Sequence, residues 1–297
     1  MHTPSFRSLA ALAAACLLAA CAGNGKTDNN ANVEAQPSLQ SFTNGDDLVA
    51  QTQTLADGSQ LTWVKDNDGN KLNPRELFAD APDSLIESLG LTQGIPGSIS
   101  FFLLKAEGKT ILFDAGLGPK MGGHITERLA TVGLTPDSID MLYLTHLHPD
   151  HIGGMMGEEG PLFRNAQVYV GQVEYDAWIH QMPTDKAGLQ LAVMDMYAQQ
   201  IHQFAFGDTL PCGILALDAV GHTPGHTVFQ HGELLIIGDL MHGQALQQEH
   251  PEYCANFDMD KAKAVESRRR ILEYARANNL QVQGMHLPEP VAEVAQQ

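Results

Sequence analysis

Short apolar runs, broken by glycine-containing turns, recur along most of the chain, and their lengths favour strands. Residues 61–64 and 99–104 read as strands, and 110–113 follows Glu107-Gly108 as the return strand of a hairpin closed by Asp114-Ala115-Gly116. Residues 141–145 form an apolar, β-favouring run that leads directly into His146. Further strands are predicted over 168–170, 215–220, 227–230 and 234–237, the last two separated by His231-Gly232. Helices are expected over 125–132, ending at Gly133, over 173–178 and over 187–197, with a turn or short helix opened by Thr135-Pro136-Asp137. A longer helix should place Ala264, Ile271, Leu272, Ala275 and the stem of Arg268 on one face, capped by Asp258 or Asp260 and ending at Asn278-Asn279. Residues 280–284 then form a last strand that delivers His286. Strands and helices mix throughout with no fixed repeat, which fits two sheets covered by helices better than a bundle or an all-β sandwich.

The N-terminus departs from this pattern. Arg7 precedes an apolar run from Leu9 to Ala20, about the length of a signal-peptide core and too short for a stable membrane anchor. Leu18-Ala19-Ala20-Cys21 resembles a bacterial lipobox, so residues 1–21 are expected to be an export signal with Cys21 lipidated. Ala22 after it suits the outer membrane, and cleavage after Ala20-Cys21-Ala22 to release a periplasmic protein is the alternative. Residues 22–41 carry almost no large apolar side chain and read as a disordered tether, leaving 42–297 for one folded domain. Of four cysteines, Cys16 and Cys21 belong to the signal; Cys212 and Cys254 are expected as separate buried residues, with a disulfide as the alternative.

Charge narrows the function. The balance of 17 Lys+Arg against 35 Asp+Glu gives a formal charge of −18, which repels phosphate backbones and disfavours a nuclease. The informative segment is Thr145-His146-Leu147-His148-Pro149-Asp150-His151. Alternation at a strand end puts His146 and His148 on one side, while Asp150 and His151 turn toward a second point. So many ionisable groups in one loop lower stability unless a divalent metal compensates them, and Pro149 and Gly153-Gly154 fix the loop's shape.

His146-x-His148-x-Asp150-His151 with Gly153-Gly154 resembles the signature of the metallo-β-lactamase superfamily. Gly221-His222-Thr223-Pro224-Gly225-His226-Thr227, Gly238-Asp239 and His286 are similar, in order, to its remaining pieces, over roughly residues 95–290. The resemblance implies a four-layered αββα fold and two Zn²⁺ ions, with Mn²⁺, Fe²⁺ or Co²⁺ suited to the same cage. It further implies His146, His148 and His226 on one metal, Asp150, His151 and His286 on the other, and Asp239 bridging them. His222 is then expected behind the ligands. Such a pair holds a water and lowers its pKa from about 15.7 toward 7, giving a bridging hydroxide as nucleophile, with Asp150 relaying a proton.

Within the superfamily, Phe113-Asp114-Ala115-Gly116-Leu117-Gly118, Glu174-Tyr175-Asp176-Ala177-Trp178, Gly238-Asp239-Leu240-Met241-His242 and Met285-His286-Leu287-Pro288 are similar to the methyl parathion hydrolase and lactonase-like branch. That likeness implies hydrolysis of a lactone, carboxylic ester or phosphotriester. A tyrosine contacts the substrate carbonyl at the place of His242 in acyl-homoserine lactonases, so His242 is read as a pocket residue, with a surface histidine as the alternative. Glu289-Pro290 follows the last motif where the family has Phe-Pro-Gly, which puts the support behind His286 in question. The expected partners are a small-molecule substrate, no nucleic acid, and a membrane only through the lipid anchor, with a homodimer left open. A mononuclear iron oxygenase of the same fold and a non-catalytic metal-binding lipoprotein are the competing readings.

Overall fold

A computed structural model describes residues 39–290. The export signal, the lipobox with Cys21, Cys16 and most of the tether lie outside the described residues. The described chain opens in a strand, Leu39–Asn44, paired antiparallel with Asp47–Thr54, so pairing starts three residues ahead of Phe42. This edge strand is polar and almost wholly exposed, held by cross-strand hydrogen bonds rather than burial, and apolar patterning could not reveal it.

Two sheets face each other. The larger has eight strands in the order Leu39–Asn44, Asp47–Thr54, Gln60–Lys65, Ser100–Ala106, Lys109–Phe113, Met141–Leu144, Gln167–Gly171 and Ile201–Phe204. The first five pair antiparallel and the last three join in parallel. The smaller has five: Thr209–Leu210, Ile214–Asp218, Thr227–His231, Leu234–Ile236 and Gln281–Gln283, the last pair parallel.

The layers follow from side-chain alternation. Phe102, Leu104, Ile111, Phe113 and Tyr143 point inward and meet Ile214, Ala216, Phe229, Leu234 and Ile236 of the second sheet in one core. Their neighbours Phe101, Leu103, Leu112, Leu142 and Leu144 point outward and pack with Ile125, Leu129, Val193, Met194 and Tyr197 of the covering helices. Both faces of the central strands are therefore buried, and they read as continuous apolar runs rather than alternating ones. On the other side Val228, Leu235 and Ile237 are covered by Ile271, Leu272 and Ala275 of the helix Lys261–Ala277. Asp260 caps that helix by accepting the Lys263 N–H. The result is four layers, helix, sheet, sheet, helix, as the motifs implied. Cys212 and Cys254 are separate, free and buried, Cys212 in the core between the sheets.

Candidate metal centre

The functional side chains gather where strands of both sheets end. Met141–Leu144 runs into Thr145 and His146, and the chain then makes a helical turn at Pro149–Ile152 that carries Asp150 and His151 to the same side. Behind this loop Gly154 lies against the Asp114–Gly116 turn; a Cβ there would come 1.9 Å from the Ala115 carbonyl oxygen. The second sheet contributes His222 after Ile214–Asp218, Asp239 after Leu234–Ile236, and His286 after Gln281–Gln283.

Asp239, 2% exposed, sits at the middle. Its Oδ2 lies 3.1 Å from His222 Nε2, 3.1 Å from His286 Nε2, 3.0 Å from His242 Nε2 and 3.7 Å from His146 Nε2. Its Oδ1 lies 3.1 Å from His151 Nε2. Asp150 reaches His286 at 3.3 Å and His151 at 3.8 Å, and His148 Nδ1 is 2.9 Å from His222 Nε2. Donor atoms of His146, His148, His222 and Asp239 lie within 4.8 Å of one another, as do those of Asp150, His151 and His286.

One expected ligand is corrected. His226 is committed elsewhere: Nδ1 bonds the Ala219 carbonyl at 3.0 Å, and Nε2 accepts the Asp239 backbone N–H at 3.1 Å. His222 takes its place in the cluster. The two stand four residues apart across Thr223-Pro224-Gly225, and the reversal of that turn decides which imidazole faces inward, something spacing alone does not tell. His226 positions the aspartate instead.

Three of the inward imidazoles are fixed through their other nitrogen by groups outside the cluster, as metal-binding histidines generally are. His151 Nδ1 bonds Asp114 at 2.7 Å, His222 Nδ1 bonds Asp258 at 2.9 Å, and His286 Nδ1 bonds the Ser98 carbonyl at 3.0 Å. Asp114 also accepts the Thr145 N–H and hydroxyl, and Asp258 accepts from Arg268. Sequence reading treated Asp114 as a hairpin closure and Asp258 as a candidate cap. Glu174, 1% exposed, accepts from the Leu147 N–H, Trp178 Nε1, the Thr223 hydroxyl and the Gly225 N–H, joining the two histidine turns. No spacing signal marked it; the helix expected there opens at Gln172–Tyr175 and widens to a π-helix over Asp176–Gln181. The turn bearing His286 is well supported: the Ser98 and Ser100 hydroxyls bond the Met285 carbonyl, and Lys65 pairs with Glu289.

The electrostatics are those of a cation site. Burial pushes His146 well down, and burial with the neighbouring His222 takes His148 to about 3. Against burial, the carboxylates of Asp239 and Asp150 hold His286 up at about 10, and Asp239 and Asp114 hold His151 well up. Buried His146 Nε2, His151 Nε2, Asp239 Oδ1 and His242 Nδ1 make no hydrogen bond. Orphaned buried donors and acceptors are costly, and three of these four, His146 Nε2, His151 Nε2 and Asp239 Oδ1, belong to the groups that could hold an ion. A nitrogen and carboxylate set of this kind fits divalent zinc.

Comparison with known proteins agrees. Residues 94–192 match the metallo-beta-lactamase superfamily. A solved hydrolase of that superfamily, AbOPH, superposes with a TM-score of 0.71 at 28% identity over 80% of this chain and 90% of the other. The likeness to the metallo-β-lactamase superfamily thus rests on residues 94–192 and on a shared fold. A second solved structure with the same fold, the dizinc quorum-quenching lactonase AidC with the product N-hexanoyl-L-homoserine, has a TM-score of 0.71 at 22% identity, covering 86% of this chain and 92% of the other. Curated relatives match over shorter stretches: ribonuclease Z of Aeropyrum pernix at 48% identity over 17% of this chain and 14% of its own length, and the exodeoxyribonuclease WalJ of Streptococcus pneumoniae at 31% over 40% and 39%. The chain thus spans well under half the length of these curated relatives.

Proposed function

We propose that this chain is a dinuclear zinc hydrolase of the lactonase-like branch, acting on a lactone, carboxylic ester or phosphotriester. The observation that carries the reading is Asp239, a buried carboxylate 3.1 Å from His222 of one ligand group and 3.1 Å from His151 and His286 of the other. His146, His148 and His222 would hold one ion, Asp150, His151 and His286 the other, with Asp239 common to both. When bound, such ions supply Lewis acidity, polarising a C=O or P=O and making water far more acidic.

The chain's own residues do the rest. Asp114, Asp258 and the Ser98 carbonyl fix the ring orientations, so little rearrangement accompanies binding. Asp150, with a quarter of its side chain exposed, is the ligand carboxylate open to a proton from solvent. His242 anchors Nε2 on Asp239 and leaves Nδ1 for a substrate oxygen. Phe257, 60% exposed and 5.9 Å from the His242 ring, offers an apolar surface beside it. Although two relatives are named as nucleases, the formal charge of −18 favours a small-molecule substrate.

The test is metal analysis of the purified protein together with hydrolysis of a lactone, an aryl ester and a phosphotriester, in wild type and Asp239→Ala. Near two zincs per chain and turnover lost by at least about a thousandfold in the variant are expected, since a bridging ligand serves both ions. Protein that binds no zinc and hydrolyses none of the three would overturn the reading.

A further inference from the structure

Lys71 lies outside every histidine motif, yet the fold sets its strand against the turns that carry His242 and His286. It opens the short strand Lys71–Asn73, which pairs antiparallel with Ile95–Gly97. This hairpin is docked on the ligand turns: the Ser98 N–H bonds the His286 carbonyl, and a Cβ on Gly97 would come 3.0 Å from that same oxygen. Asn73, 4% exposed, is the connector. Its Nδ2 donates to the His242 carbonyl at 2.9 Å and its Oδ1 accepts from Lys71 Nζ at 2.5 Å. The Asn73 amide thus sets the ammonium of Lys71 relative to the His242 turn, while Gly97 and Ser98 hold the paired strand against the His286 turn. Burial lowers the pKa of Lys71, while the charges of Asp150 and Asp239 act on it in the opposite direction.

The arrangement leaves a cation incompletely matched. Among the described residues Asn73 Oδ1 is the one acceptor bonded to Nζ, so two of its three donors stay available. A lysine whose task was to neutralise Asp150 or Asp239 would pair with one of them directly, and it does not. Two divalent ions bring four positive charges against the two negative charges of those aspartates, and Lys71 adds another beside them. An ammonium with free donors beside such a centre is complementary to an anionic oxygen.

We infer that Lys71, set by Asn73, is a product-binding residue that receives the anionic oxygen formed on the acyl or phosphoryl group when it is hydrolysed at the centre. Hydrolysis of an ester or lactone by water yields an alcohol, a carboxylate and a proton; a phosphotriester yields an alcohol, a phosphodiester anion and a proton. Either acid product carries the oxygen that Lys71 would hold. The inference rests on the hydrolase reading.

Calorimetric titration of the zinc-loaded protein with hexanoate, diethyl phosphate and neutral hexanamide tests it, with zinc content measured on every sample. In Lys71→Met and Lys71→Gln, zinc should bind as in wild type or tighter, because a like charge has gone. Anion affinity should fall about tenfold while hexanamide binding is unchanged, and Lys71→Arg should recover most of the loss. The anion that loses more identifies the acyl or phosphoryl class. Zinc-loaded Lys71→Met and Lys71→Gln that bind anions like wild type overturn the inference, as does a wild type that binds hexanoate and diethyl phosphate no tighter than hexanamide. A wild type without zinc overturns the hydrolase reading, and this inference with it.

Discussion

Two histidine-bearing turns supply the centre, and they use their histidines differently. In the segment from His146 to His151 all four ionisable side chains face the cluster, because a strand end gives way to a helical turn at Pro149–Ile152 and both periods keep them on one side. In the turn from Gly221 to His226 only His222 does so; His226 stands just ahead of the strand Thr227–His231 and bonds the backbone of Asp239 from behind. Residue density marks a site, while the path of the backbone decides which residue is a ligand and which holds the ligand in place.

The sharpest way to break this comparison is to remove each histidine of the second turn in turn. His222→Ala should lower zinc affinity by more than about a hundredfold, beyond the loss typical of residues behind the ligands, and abolish turnover. His226→Ala should keep two zincs per chain and lose about 1–3 kcal/mol of stability, because the Asp239 N–H is left buried without its acceptor. Competition with a chromophoric chelator, paired with thermal melts, reads both. If His226→Ala loses zinc and His222→Ala retains it, the assignment drawn from the structure is reversed.

The same contrast explains what was legible in the sequence. The strand over 141–145, the helix capped by Asp260 and the last strand before His286 were readable because apolar periodicity and capping chemistry act locally. The hairpin of Lys71–Asn73 with Ile95–Gly97 was not, since its strands are three residues long and polar or proline-bearing. Ligand types were legible in the first turn, where four share one loop. Asp114, Glu174 and Asp258 stayed hidden as supports, because they reach the centre through contacts 27 to 51 residues away in sequence. A buried acid of that kind has no signature short of the fold.

Glu174 allows a second test, because it couples the two turns. A Cβ on Gly225 would lie 2.2 Å from the Glu174 backbone nitrogen, so the second turn is pressed against this residue, and four donors converge on its carboxylate. Burial pushes its pKa up and those donors pull it down. Glu174→Gln keeps the shape but turns an amide N–H₂ toward donors, which should cost about 3 kcal/mol. Urea unfolding checks the stability. Zinc titration should show weaker binding, by about tenfold, at sites involving His148 and His222. Full stability with unchanged zinc affinity would mean the turns are set independently.

The smallest expected effect concerns charges balanced by protein partners instead of a cation. Lys65, 1% exposed, donates to Asp47 at 2.5 Å and to Glu289, joining the second strand to the chain just after His286. The Asp47 carboxyl has its pKa lowered: burial opposes this, but the hydrogen bonds from Lys65 and from the Gly69 N–H prevail. A carboxyl lowered in the folded state stabilises above its ordinary value of 3.8, and that contribution disappears as pH falls through the lowered value. Asp47→Asn should therefore melt about 2–4 °C below wild type near pH 7, for a loss of about 1 kcal/mol with Glu289 still in place. The gap should close progressively as pH drops below 4. A gap that persists unchanged in acid would assign the loss to packing around Asp47, leaving the charge of Lys65 balanced by Glu289 alone.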